Sequence, residues 1–116
     1  MTADDPAHQL SLAIEHLQQA IEYSRRGKKV FFDRDNPDTS RLVESELRKA
    51  YEAMNRLGQP LFRANPALPE DEIGRVRQLL THDYGDVILE EIWRTVTMEA
   101  PTLLRQLTRV KLPKRD

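Results

Sequence analysis

Apolar residues recur along this chain at three- and four-residue intervals, with only four glycines to interrupt them. That spacing is the period of a helix with one buried face, and it leaves little room for strands. The clearest run is Val43, Leu47, Ala50, Met54 and Leu57, a heptad-like series suited to close packing on a neighbouring helix. Leu10, Ile14, Leu17 and Ile21 form an earlier stripe, with Ala13 and Ala20 beside it. Ile73, Val76 and Leu80 give a third segment an apolar side. A fourth turns Leu89, Ile92, Val96, Ala100, Leu103, Leu107 and Val110 inward. The fold class predicted is all-α: a four-helix bundle with room for a fifth short helix.

Capping and breaking residues set the expected boundaries. Asp5-Pro6 is a start signal, a capping side chain followed by proline at the first helical position, and Gly27 behind Arg25 and Arg26 is a stop. Lys28 to Asn36 reads as a connector that tucks Val30, Phe31 and Phe32 against the bundle. Asn36-Pro37-Asp38 opens a second helix in the same manner as the first. Pro60 cannot sit in a helix interior without losing a hydrogen bond and clashing with the preceding turn, so a break or kink is expected near Gly58. Asn65-Pro66 and Pro69 punctuate the next connection. Glu70, Asp71 and Glu72 then crowd a first turn, where negative charge is favourable. Gly85 is the natural stop of the third helix and Asp86 a cap for the fourth, which Pro101 should kink or split.

With 116 residues the chain has room for one core, and 1–116 is read as a single domain with a short, flexible basic tail at about 111–116. No apolar run is long enough to span a bilayer, and the acidic start Met1-Thr2-Ala3-Asp4-Asp5 is not a secretory signal. The absence of cysteine excludes disulfides and thiolate chemistry and suits a reducing cytoplasm. A net charge of −1 gives no global attraction to nucleic acid, so any RNA contact must come from a local patch.

One segment carries chemistry. Arg77-Gln78-Leu79-Leu80-Thr81-His82-Asp83-Tyr84 brings together a permanent cation, a side chain that titrates near neutrality, and a phenol. If the third helix runs to about Tyr84, Arg77 and Tyr84 fall within roughly 20° of one another, whereas His82 shares its stripe with Arg75. Geometry does not decide which arginine partners the histidine. Such a set supports metal-free transesterification of RNA: imidazole takes the proton of a 2′-hydroxyl, and guanidinium steadies the charged phosphorane-like transition state. A second acid is then needed for the leaving 5′-oxygen, which a symmetric dimer would supply. The bland reading stands beside this one: a histidine near a helix C-terminus and a packed tyrosine.

At these residues the chain resembles the HepT-like family of HEPN-domain proteins, toxin components encoded beside a minimal nucleotidyltransferase. The family pattern Arg-x4-His-x-Tyr falls on Arg77, His82 and Tyr84, and a Pro-x-x-Pro entry to the motif helix on Pro66-Ala67-Leu68-Pro69. Trp93 lies nine residues after the tyrosine, Pro101 and Leu103 meet the proline–leucine element, and Glu52-Ala53 the glutamate–alanine step. The likeness runs from about Leu10 to Leu107. It departs at Gln78, where the family usually has asparagine, and at Tyr51, where it favours glycine. The resemblance implies a HEPN-type bundle that forms a homodimer and sets two motifs across a cleft. It implies a metal-independent endoribonuclease with no cofactor, in which His82 is the acid/base and Arg77 the phosphate ligand. Gln78, Arg75 and Asp83 are candidate supporting residues. It further implies a partner, an MNT-type nucleotidyltransferase antitoxin that silences the toxin by AMPylation of Tyr84. The alternative from another class is a non-catalytic subunit that presents substrate to a nucleotidyltransferase.

The remaining candidates read as structure first. His8 and His16 have no chelating neighbours in sequence, so metal sites are expected nowhere. Arg25, Arg26, Lys28 and Lys29, and likewise Arg109, Lys111, Lys114 and Arg115, read as solvated ends ahead of RNA contacts. Trp93 reads as core or dimer interface, and Glu52 as a solvated or packing residue ahead of one that orients the motif.

Overall fold

The computed structural model describes residues 5–81 and 87–112. Among them the secondary structure is helical throughout: α1 (Pro6–Ser24), α2 (Lys28–Phe31), α3 (Asp38–Ala64), α4 (Glu70–Thr81), α5 (Val87–Arg94), a π-helical turn (Thr95–Glu99) and α6 (Ala100–Leu107). The all-α expectation holds, with α1 and α3 as the most closely packed pair.

Asp5 caps α1 as expected, its Oδ1 accepting the Ala7 N–H at 2.9 Å, with Pro6 in the first turn. The chain leaves α1 through Gly27, whose φ of 108° is a conformation that side chains resist. The buried face of α1 is rotated from the expected stripe. Ala13, Leu17 and Ala20 are fully buried, while Leu10, Ile14 and Ile21 only flank the core. Small side chains at the centre of this face, and Ala50 and Ala53 in the core on α3, let the two helices approach closely.

The connector contains the single turn α2, which buries Phe31 and leaves Val30 exposed. Phe31 and Phe32 lie 5.0 and 5.9 Å from the Trp93 ring, so Trp93 packs, half-buried, in an aromatic cluster. α3 begins one residue later than the start signal suggested, at Asp38, because Asn36 Oδ1 accepts the Asp38 N–H at 3.3 Å and Pro37 takes the cap position. Val43, Leu47, Ala50, Met54 and Leu57 are all buried. The break falls where Pro60 demands it: Gly58 adopts φ 63°, ψ −158°, and the helix resumes so that Leu61 is buried on the same core.

α4 carries its three acidic residues in the first turn and buries Ile73, Val76 and Leu80. In the last segment Ile92, Val96, Ala100, Leu103 and Leu107 are buried, and Leu89 and Val110 flank them. The segment divides near Pro101, as expected, but through a π-helical turn. Pro101 stands at the start of α6, and the turn before it widens so that the Ala100 N–H bonds to the Thr95 carbonyl. A π turn absorbs the missing proline N–H and its steric demand without breaking the stripe. Lys111, at the start of the expected tail, is held: its N–H donates to Asn65 Oδ1 and its carbonyl accepts from Asn65 Nδ2, both at 2.8 Å. Gly85 and Asp86, and residues 113–116 with Lys114 and Arg115, lie outside the described residues.

Candidate active site

The end of α4 presents the first part of the motif. Arg77 is half-exposed and faces α3, where its Nε donates to Glu52 Oε1 at 3.1 Å. Among the described residues its two terminal nitrogens have no partner. Arg75, two residues earlier, faces the other way. Its Nη2 donates to Glu99 Oε1 at 3.0 Å and its Nη1 lies 3.8 Å from Glu91 Oε2. The structure thus separates the two arginines that sequence left as rivals: one has an open fork, the other is engaged at both terminal nitrogens. Gln78 is exposed on the same helix, and Thr81 Oγ1 donates to its carbonyl at 3.0 Å. His82, Asp83 and Tyr84 lie outside the described residues.

Two supports come from α3. Glu52, read first as a solvated or packing residue, is the partner of Arg77, because the α3–α4 packing lays it across from that side chain. Arg48 was not singled out from sequence at all. Its Nε donates to the Leu80 carbonyl at 3.0 Å and its Nη2 to Glu44 Oε1 at 2.7 Å, so it holds the last turn of α4 just before the motif histidine. A cation at a helix C-terminus is favourable in itself. Beside Arg77, Tyr51, Asn55, Phe62 and Ile73 line a cavity of about 290 Å³ between α3 and α4.

Behind α4 lies a partly buried acidic junction. Burial pushes the Glu99 carboxyl above its ordinary range; Glu72 and Glu91 push the same way, while Arg75 and Arg94 oppose. Its Oε2 is buried without a hydrogen-bond partner among the described residues. Burial, with Glu99 and Glu72, likewise raises the Tyr51 phenol far above its usual value, so Tyr51 stays neutral. Tyr51 is a fully packed core side chain.

Among the described residues no three His, Cys, Asp or Glu side chains are grouped to hold a metal. His16 Nδ1 pairs instead with Glu46 Oε2 at 2.6 Å across α1 and α3, a partner that sequence distance concealed, and His8 is exposed. No described helix is long and apolar enough to cross a membrane.

The family model described as "Ribonuclease HepT-like" matches residues 13–110, most of the chain, and the chain belongs to that family. The all-α helical bundle above is the HEPN-type fold that membership entails. Comparison with curated proteins and with solved structures returns no match.

Proposed function

We propose that this chain is a ribonuclease toxin of a toxin–antitoxin pair, which cleaves cytoplasmic RNA without a metal in a site shared by two copies. The observation that carries this reading is the Arg77 fork, anchored at Nε by Glu52 and, among the described residues, open at both terminal nitrogens. That is the arrangement needed to grip two non-bridging oxygens of one phosphate, and planar bidentate contact is what arginine does better than lysine. His82 of one copy takes the proton of the ribose 2′-hydroxyl. The 2′-oxygen attacks phosphorus, the bond to the 5′-oxygen breaks, and His82 of the second copy protonates the leaving oxygen. The products are a 2′,3′-cyclic phosphate and a free 5′-hydroxyl. Arg77 steadies the charge on phosphorus; Gln78 and Asp83 support it, and Arg75 serves the fold through its own ion pairs.

The off-switch in this reading is AMP transfer onto Tyr84 by a partner nucleotidyltransferase of MNT type. Each added nucleotide brings bulk and negative charge into a cleft made for RNA phosphates.

Purified protein is expected to cleave RNA in the presence of EDTA, and Arg77→Ala and His82→Ala each to lower cleavage by about a hundredfold or more. Undiminished cleavage by His82→Ala overturns the assignment. Absence of cleavage by the native chain, with harmless expression and an intact complex with a nucleotidyltransferase, selects the non-catalytic binding subunit instead.

A further inference from the structure

We propose that the hollow between the end of α3 and α6 is a second RNA subsite, one that takes a nucleotide of a single-stranded substrate away from the scissile bond. The ligand's identity rests on the ribonuclease reading; the site itself rests on three observations. The hollow has a volume of about 610 Å³, within the range of small-molecule sites, and buried Leu68 and half-buried Val110 give it an apolar floor, with Ala67 beside them. Its rim carries Arg105, Arg109 and Lys111, and among the described residues no carboxylate lines it. Arg105 reaches only Thr102 Oγ1, at 3.2 Å, and the side chains of Arg109 and Lys111 have no partner among the described residues.

The third observation is Gln106. Its Nε2 donates to the Ala67 carbonyl at 3.3 Å, which fixes the amide's orientation, since the flipped amide would set oxygen against oxygen. Its Oε1 is then buried with no donor among the described residues. Native structures leave few such acceptors; this one is closed to solvent in the present rotamer, and a ligand N–H would relieve the cost once the Gln106 side chain turns toward the hollow that it lines. Cations near the end of α6 are also what a helix dipole favours, but that explains neither the hollow nor the orphan amide.

A nucleotide meets all three features in one compact unit: a flat apolar body for the floor, an N–H on the base edge for Gln106, and a phosphate for the rim. The same rim would attract an acidic protein surface, which has no comparable planar group for the floor. The loop at 65–69 borders this hollow, and α4, with 12 residues, leads from there to the motif. Arg77 is the eighth residue of that helix, so it stands roughly 10 Å along the axis from the end that borders the hollow. The subsite would hold the strand some nucleotides from the cleavage point and help to choose which bond is cut.

The test is fluorescence anisotropy of a labelled 2′-O-methyl single-stranded RNA, which lacks the attacking hydroxyl, titrated with the full chain over a range of salt. Arg105→Ala/Arg109→Ala is expected to bind about tenfold more weakly, and the slope of log K against log salt to fall by about 0.7 for each phosphate no longer neutralised. Gln106→Leu should weaken binding several-fold with the slope unchanged. Melting curves matching the native chain exclude a folding defect. Native-like binding by both variants overturns the subsite. So does capture of a polyglutamate peptide that the double variant loses while RNA binding persists, which would make the hollow a protein-docking surface. The ribonuclease reading fails separately: a chain that cuts no RNA yet shows both variant effects keeps the subsite, whereas active cleavage with unchanged binding by both variants removes the subsite alone.

Discussion

Glu52 holds Arg77 by its inner nitrogen, and that choice of atom matters more than the ion pair's strength. Both side chains are about one-third exposed, and such pairs contribute about 0–1 kcal/mol to stability. Their value is orientation, since a guanidinium fixed at Nε presents its fork in one direction. In the proposed mechanism Glu52 is a positioning residue, and Glu52→Ala is expected to lower kcat by about tenfold to a hundredfold. The urea midpoint should hardly move, and Glu52→Gln, which keeps an acceptor for Nε, should recover part of the rate. A native kcat in Glu52→Ala would show that Arg77 needs no anchor. Along the chain an orienting role for Glu52 stood only second to a solvated or packing one, and Arg48 gave no signal at all. The motif spacing identified Arg77, but the residues beside it, Glu52 and Arg48, lie 25 and 32 positions away from the groups they hold, and only the packing of α3 on α4 brings them there.

Elements were more legible than contacts, because breakers act locally. Gly58 takes the positive φ that Pro60 forces on the chain, and Asp5 with Pro6 opens α1. What a stripe does not reveal is its centre. The large residues of α1 suggested a face through Leu10 and Ile14, whereas close approach to α3 selects the alanines. The π turn before Pro101 was equally out of reach, since a kink, a split and a widened turn all answer the same missing N–H. This turn also places Glu99 at a junction with consequences for pH. Glu72 and Arg75 face it from α4, Glu91 and Arg94 from α5, and Tyr51 from α3. Its carboxyl is raised in the folded state, so between the ordinary glutamate value and the raised one the folded chain keeps a proton that the unfolded chain has lost. This stabilisation is complete below the ordinary value and is lost as pH rises through the raised one. Glu99→Gln keeps an acceptor for Arg75 and removes the titration. Urea midpoints measured from acid to neutral pH should therefore improve steadily for the variant relative to the native chain. Parallel curves would show that Glu99 titrates alike in both states.

At the scale of the whole molecule, the described residues bury one continuous core from α1 to α6 and leave the Arg77 fork at the surface. A fork and one histidine make half of an acid–base site. The proposed cleavage draws a base from one copy and an acid from the other, and this has a consequence that no single-chain site shares. When native chains are mixed with excess His82→Ala chains and allowed to exchange, only dimers of two native chains retain both proton carriers. Activity per total chain should then fall as the square of the native fraction. An equal mixture would keep about a quarter of the native rate, against about half if each chain cleaves alone. The fall below the linear value must also vanish when the proteins are assayed before exchange, which separates a shared site from simple competition for RNA. A linear dependence after complete exchange would place base and acid in the same copy, and the second carrier would then have to be sought among the residues of one chain.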